Sequence, residues 1–275
     1  MKLTTASSFI PTVLLVLLLS ACAEDTGQQQ EAVKAERSPE PPDCQLTMGW
    51  DPWEPYQYVT PTGEVAGLDV ELIEAAAHHA GCALTFEQHD FVTLLNKLRN
   101  GEVDFVPGAT RTEARETFAW FSIPYREEVF TLFVRSEDKE LYADDDLESL
   151  LKNRRRVGFT EGFMYGEEAE ALMAEPDYQN RLVSARIGDL NLLRLIEHDI
   201  DALIEDNFVA ASVQRRLGIS NRVAALDQVL QSANVRLMFS RDSVDEDTVE
   251  RMNEGLKRVI EDGTRERIIS RYKTD

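Results

Sequence analysis

The sequence predicts an α/β fold of two lobes, each a mostly parallel sheet flanked by helices, joined by two extended crossings. Short apolar runs typical of strands alternate with apolar residues at helical spacing, which is the β-α-β pattern of parallel sheets. This alternation occurs twice, and an extended apolar segment follows each series, at Glu128–Arg135 and at Val235–Phe239. Two lobes joined by two crossings predict a clamshell with a cleft and a hinge.

The first series begins near Cys44, and strand-like alternation or helical periodicity marks each of its elements. In chain order these are a strand at Leu46–Trp50, a helix at Leu68–Ala80, a strand at Leu84–Phe86, a helix at Phe91–Leu98 and a strand at Val103–Val106. Gly81 follows the first helix, where glycine supplies the left-handed conformation that ends it. The third strand runs into Pro107-Gly108.

The second series has the same alternation and leads to a terminal helix. Its elements are a strand at Arg156–Phe159, a helix at Tyr165–Ala174, a strand at Arg181–Val183, a helix at Leu190–Glu197, a strand at Ile200–Ile204, a helix at Phe208–Leu217 and the terminal helix at Val249–Ile260. We therefore expect residues 44–127 and 236–275 to form the first lobe and residues 128–235 to form the second.

The N-terminus has the pattern of a bacterial lipoprotein signal. A charged start at Lys2 precedes the apolar run Val13–Leu19, and Ser20-Ala21 lead directly to Cys22. Residues 1–21 are thus predicted to be a signal peptide, with Cys22 acylated as a lipid anchor. The alternative is an ordinary cleaved signal that happens to be followed by a cysteine.

Residues 22–43 are polar, contain three prolines and show no apolar periodicity, which predicts a disordered tether. The protein is therefore expected in the cell envelope, lipid-anchored and facing the periplasm or the exterior. Ala23 after the cysteine favours the outer membrane if the host is Gram-negative.

The charge of the chain excludes some partners. Its 50 Asp and Glu residues outnumber 29 Lys and Arg, giving a net charge of −21. Nucleic acid and anionic lipid both attract clustered positive charge, so neither is an expected partner. The acidic excess is most simply explained by solubility.

Cys44 and Cys82 each precede an alternating apolar segment. If the two segments are neighbouring parallel strands, both thiols lie at the same sheet end, within disulfide distance. We expect a bridge between them, the alternative being two buried free thiols.

Several motifs resemble those of bacterial extracellular solute-binding proteins of the polar amino-acid type, family 3, which feed ABC importers. In the first lobe they are Trp50–Tyr56 with Gly63–Leu72, then Gly101–Asp104 with Gly108–Arg115, and Phe121–Tyr125. Val157–Gly162 and Ile200–Asp206 match more loosely, and the likeness extends from Cys44 almost to the C-terminus. The resemblance implies a periplasmic-binding-protein clamshell without a cofactor, a small zwitterionic ligand such as an amino acid, an ABC permease as partner, and a monomer.

The resemblance also implies a set of ligand contacts. Arg115 would hold the ligand carboxylate and Asp206 its ammonium from the opposite lobe, while Trp53 stacks on the ligand and Phe91 forms the opposite wall. The full set of expected ligand-binding residues is Asp51, Trp53, Phe91, Gly108, Thr110, Arg115, Thr160, Glu205 and Asp206. The ligand's side chain stays open, although Asp51, Glu161 and Glu205 are compatible with a cationic one.

Elementary chemistry agrees with these positions and offers simpler alternatives. Gly108 and Thr110 leave the C-terminal edge of a parallel strand, where open α/β sheets bind ligands. Arg115 lies in the first turn of a short helix, Glu113–Thr117, and could instead be a surface residue paired with a neighbouring Glu. Asp206 could simply cap the helix that follows it. For Trp53 and Phe91 the alternative is core packing.

The chain lacks the usual motifs of metal, nucleotide and nucleophilic catalysis. The alternative to a binding protein is an enzyme on the same scaffold, such as a dehydratase of prephenate or arogenate, with Glu161 and Glu205 as acid–base groups. A third possibility is an envelope sensor without a permease.

Overall fold

A computed structural model describes residues 44–272, except the side chains of Gln231 and Ser232. The predicted signal peptide, the tether and the acylated Cys22 lie outside the described residues. Within the described part of the chain, no helix combines the length and apolar character needed to cross a bilayer.

The first half of the described chain alternates strands and helices, with a small hairpin after the first strand. Its elements are β1 (Cys44–Trp50), β2 (Tyr58–Val59), β3 (Val65–Ala66), α1 (Leu68–Ala80), β4 (Cys82–Gln88), α2 (Phe91–Arg99), β5 (Phe105–Ala109), α3 (Glu113–Glu116), β6 (Ala119–Phe121) and β7 (Arg126–Arg135). Gly81 ends α1 in the left-handed conformation, as predicted.

The second half repeats the alternation and ends in two helices. Its elements are α4 (Leu147–Lys152), β8 (Val157–Thr160), α5 (Glu167–Ala174), β9 (Leu182–Ala185), α6 (Gly188–Ile196), β10 (Ala202–Asp206), α7 (Asn207–Leu217), β11 (Val223–Ser240), α8 (Glu246–Glu261) and α9 (Thr264–Tyr272). The hairpin β2–β3, β6 and α4 were not predicted from the sequence. Asp146 caps α4 by accepting from the Ser149 N–H.

One continuous mixed sheet runs through the described residues, in the order β4-β1-β5-β11-β7-β10-β8-β9, with β6 also paired to β11. The triplets β4-β1-β5 and β10-β8-β9 are parallel, as predicted for each lobe. Between them the two crossings, β7 and β11, pair antiparallel. β11 changes partner at the end of this pairing, since Val235 pairs with Arg126 of β7 and Arg236 pairs with Ala109 of β5.

The predicted disulfide joins the starts of two neighbouring strands. Cys44 of β1 and Cys82 of β4 are paired in parallel register, their Cα atoms lie 4.5 Å apart, and the two sulfur atoms are bonded. The bridge fastens the outer edge strand of the sheet to its neighbour, on the far side from the crossings.

Candidate functional site

A cavity lies where the loops after β1, β5 and β8 meet β7. Its lining residues are Asp51, Trp53, Gln57, Phe91, Pro107, Gly108, Thr110, Arg115, Glu128, Phe163 and Met164. Six of them were predicted from the sequence: Asp51, Trp53, Phe91, Gly108, Thr110 and Arg115. Its volume is about 20 Å³, which is room for about one water molecule. The two sides of the cleft therefore meet closely in this conformation.

Local backbone structure positions the side chains that line the cavity. Trp53 and Gln57 are joined by two backbone hydrogen bonds, of 2.8 and 3.1 Å, that fold the loop after β1 into a tight turn. Asp90 caps α2 by accepting from the Thr93 N–H, which places Phe91 at the first helical position. Gly108 has φ +66°, and a Cβ there would lie 3.2 Å from a nitrogen of Arg126. Glycine is thus required where β5 turns into the cavity.

Arg115 is buried on α3 and hydrogen-bonds to main-chain oxygens. The Thr112 hydroxyl accepts from the Arg115 N–H and caps this short helix. Of the guanidinium nitrogens, Nη1 donates to the Thr110 carbonyl at 2.9 Å and Nη2 to the Gly162 carbonyl at 2.7 Å. Burial lowers the pKa of Arg115 to about 10, so the group stays cationic at neutral pH. It is Arg111, not Arg115, that pairs with Glu116 at the surface.

Two buried acids line the same cavity. Burial raises the pKa of Asp51 to about 7 and that of Glu128 to about 8. Glu128, on β7, was not among the predicted residues, because its neighbours Arg126 and Glu127 make this stretch resemble an exposed strand start. Two residues earlier on β7, Arg126 is bound by Asp69 of α1 through two hydrogen bonds, of 2.6 and 3.0 Å.

Aromatic rings fill the space between these charges. The Phe163 ring lies 5.1 Å from that of Trp53 and 5.4 Å from that of Phe91, centroid to centroid, edge-on in both cases. Phe163 was not among the residues predicted from the sequence. One signal could have found it: Phe163 and Met164 are large apolar residues in the loop after β8, at the ligand-binding edge of the sheet.

The structure does not bring three of the predicted residues into this cavity. The Thr160 backbone exchanges hydrogen bonds with the Tyr165 hydroxyl, and Glu205 accepts from Trp53 Nε1 at 3.2 Å and from the Asp206 N–H at 2.9 Å. Asp206 lines a separate cavity beside Tyr56. Arg115 and Asp206 thus line different cavities in this structure, and their binding of opposite ends of one ligand stays a prediction.

The Asp206 carboxylate is already supplied with donors. Oδ1 accepts from the Tyr56 hydroxyl at 3.0 Å and from the N–H groups of Phe208 and Val209 at 2.8 and 3.2 Å, while Oδ2 accepts from the Val129 N–H at 3.2 Å. It therefore caps α7, which is the simpler of the two roles considered from the sequence.

The groups considered for acid–base chemistry also lie outside the cavity. Glu161 accepts a hydrogen bond from Ser184 at 2.7 Å, and Glu205 is bound as described above. Within the described residues no group of three or more His, Cys, Asp or Glu side chains is arranged to hold a metal ion.

The sequence model of the bacterial extracellular solute-binding proteins, family 3, matches residues 46–275. The chain belongs to this family. Its identity to individual relatives is low, 22 to 26%, over 76 to 94% of their length. It is 26% identical to a protein of Neisseria gonorrhoeae named as a probable histidine-binding protein, over 93% of this chain and 91% of that one.

A second relative agrees with the family, and a solved structure agrees with the fold. The chain is 26% identical to the arginine-binding extracellular protein ArtP of Bacillus subtilis (strain 168), over 94% of both chains. Among solved structures, an ancestral amino-acid-binding protein described as a precursor of cyclohexadienyl dehydratase superimposes with a TM-score of 0.71 at 21% identity. That match covers 84% of this chain and 96% of the other, and at this identity it establishes the fold.

Proposed function

We propose that this protein binds an amino acid in the cavity lined by Arg115. The observation that carries the proposal is that this buried guanidinium hydrogen-bonds two main-chain carbonyls, of Thr110 and Gly162, and no carboxylate among the described residues. A buried cation is costly without a counter-charge, and an α-carboxylate offers one that the planar guanidinium can hold through two hydrogen bonds. The relatives named as histidine- and arginine-binding proteins support an amino-acid ligand.

Binding requires the cleft to open. Since the cavity has room for about one water molecule, an amino acid enters only when the loop carrying Phe163 and Met164 moves away. The same movement releases the Gly162 carbonyl from Arg115. We propose that the ligand carboxylate takes the place of this carbonyl.

We further propose that the protein acts outside the cytoplasm as a monomer and delivers its ligand to an ABC permease. The family consists of extracellular solute-binding proteins, and the sequence Leu19-Ser20-Ala21-Cys22 supports a lipid anchor at Cys22. Such an anchor would hold the binding domain at the membrane through the polar segment 22–43.

Thermal unfolding of the purified protein against the twenty amino acids tests the proposal. A ligand present at 100 times its Kd should add about 2.7 kcal/mol of stability. Arg115→Ala should weaken the binding of that ligand by about 30-fold or more. The affinity of Arg115→Lys should lie between those of the unmodified protein and Arg115→Ala, because lysine keeps the charge and lacks the planar guanidinium.

The matched control is Arg111→Ala, which removes an exposed arginine four residues away that pairs with Glu116. It should bind like the unmodified protein. The proposal fails if no amino acid stabilises the protein, or if Arg115→Ala binds normally while unfolding at the usual temperature.

A further inference from the structure

The charged groups that line the cavity within the described residues are one cation, Arg115, and two acids, Asp51 and Glu128. All three side chains are less than 10% exposed. A neutral amino acid offers one carboxylate and one ammonium, so it leaves one of the two acids without a counter-charge. A ligand with one carboxylate and two cationic groups matches the lining charge for charge.

The cavity also holds two buried acceptors that have no hydrogen-bond donor in the described part of the protein. They are Gln57 Oε1 and Glu128 Oε1, on side chains that are 2% and 4% exposed. Gln57 turns its amide nitrogen towards Asp69, with 3.3 Å between Nε2 and Oδ2, and its carbonyl oxygen is left over. Buried acceptors of this kind are expensive unless a donor reaches them.

Arg126, a buried cation beside Glu128, is shared between two acids. It gives two hydrogen bonds to Asp69, of 2.6 and 3.0 Å, while its Nη1 donates to the Glu127 carbonyl at 3.4 Å and forms a longer ion pair, of 3.5 Å, with Glu128 Oε1. One cation thus faces two carboxyl groups, and Glu128 is the more weakly paired of the two.

We infer that the bound amino acid carries a second cationic group, and that Glu128 and Gln57 receive it. The inference rests on the proposed function, because it requires Arg115 to hold the ligand carboxylate. Guanidinium and ammonium groups donate hydrogen bonds and accept none, which suits two acceptors with no donor of their own. Asp51 is then the lining acid available to the α-ammonium.

The protonation of Glu128 supports this assignment and makes it measurable. The charges facing Glu128 are Arg126, which lowers its pKa, Arg115, whose own pKa Glu128 raises, and Asp206 and Asp69, which raise that of Glu128; burial dominates and places the pKa of Glu128 at about 8. The neighbouring Tyr56 and Tyr165 have pKa values held well above their usual range and stay neutral, and Arg115 stays cationic.

At pH 6 the Glu128 carboxyl is therefore mostly protonated before a cation binds, and binding must expel the proton. Affinity for a cationic ligand should rise between pH 6 and pH 8.5. A neutral ligand of the same shape gains nothing from this deprotonation.

Calorimetric titration with two matched pairs tests the inference: L-arginine against L-citrulline, and L-lysine against L-norleucine. Within each pair the α-groups are the same. Citrulline keeps the length of arginine without its charge, and norleucine lacks both the charge and the terminal nitrogen of lysine. At pH 8.5 at least one cationic member should bind about 30-fold or more tighter than its neutral partner. At pH 6 the ratio of the affinities for the cationic and the neutral member should be about tenfold or more smaller than at pH 8.5. Titration of the cationic member in two buffers of different ionisation enthalpy should detect the proton that its binding releases.

Glu128→Gln keeps the size of the side chain and removes its charge. It should therefore bring the ratio of the affinities for the charged and the neutral member close to one. Glu127→Gln, on the exposed neighbouring residue, should leave this ratio unchanged.

Equal binding of charged and neutral members by the unmodified protein, or an undiminished preference for the charged member in a folded Glu128→Gln variant, overturns the inference. If neutral amino acids bind and cationic ones do not, the inference fails and the proposed function stands. If no amino acid binds, the proposed function fails and the inference with it.

Discussion

At the scale of single residues, Asp206 shows that a side chain at the expected edge of a sheet can be used up by the protein itself. Its two oxygens accept four hydrogen bonds, three from main-chain N–H groups and one from Tyr56. The Tyr56 contact joins the loop after β1 to the start of α7. Asp206 therefore caps a helix and fastens two parts of the chain together.

Asp206→Ala should lower the free energy of unfolding by about 2–3 kcal/mol, because it removes a helix cap and leaves the Tyr56 hydroxyl and the Val129 N–H without an acceptor. Asp146→Ala is the matched control, since Asp146 caps α4 at an exposed site by accepting from the Ser149 N–H. It should cost about 1 kcal/mol. Urea unfolding measures both, and equal losses would show that the Tyr56 and Val129 contacts contribute nothing.

The residues that sequence reasoning placed correctly in the cavity differ in kind from those it missed. Gly108, Thr110 and Arg115 lie within one motif that follows a parallel strand, so their common location follows from local chain direction. Gln57 and Glu128 are distant in the chain, and the buried groups beside them come from a further element, since Asp69 of α1 binds the side chains of Gln57 and Arg126. No local pattern in the sequence contains that information.

At the scale of elements, the helices α1 and α8 pack so closely that a side chain between them is excluded. A Cβ at Gly255 would lie 2.2 Å from the main-chain oxygen of Ala76, a distance that real contacts do not reach. The apolar face of α8, with Met252 and Leu256 fully buried, is held against α1 at this separation. Glycine is therefore required at this crossing for its lack of a side chain.

Gly255→Ala should destabilise the protein by about 1–3 kcal/mol, even though alanine is the better helix former, because the backbones must separate. Arg258→Ala, on the exposed side of the same helix, should change stability by no more than about 0.5 kcal/mol. Thermal unfolding of both variants checks this, and a Gly255→Ala variant as stable as the unmodified protein would mean that the helices separate freely.

Periodicity located most elements and failed where a strand is either very short or interrupted by polar residues. The crossing expected at Val235–Phe239 is the end of the 18-residue strand β11. Its first third contains Asp227 and Gln228, and its pairing with β7 shifts register between Ala225 and Val229. That irregularity breaks the alternation from which strands are predicted. The two-residue strands β2 and β3 are too short to show any period.

At the scale of the whole molecule, the two sides of the cleft are held together by contacts of different strength. Arg186 pairs with Asp90 at 3.0 Å, and Ser212 donates to Glu54 at 2.9 Å. The Arg186 pair is largely exposed, and exposed pairs contribute little. The apolar contact at the centre is made by Phe163, whose ring lies against Trp53 and Phe91 from the other side of the cleft.

Phe163→Ala should therefore shift the molecule towards an open form. Losing a half-buried aromatic ring removes about 1–2 kcal/mol of apolar stabilisation from the closed form, which is about a tenfold change in the ratio of open to closed molecules. Small-angle X-ray scattering without added ligand should then give a larger radius of gyration. Met173→Ala, which truncates a half-buried side chain on α5 away from the cleft, should leave the scattering unchanged. Identical curves for the two variants would show that Phe163 does not hold the cleft closed.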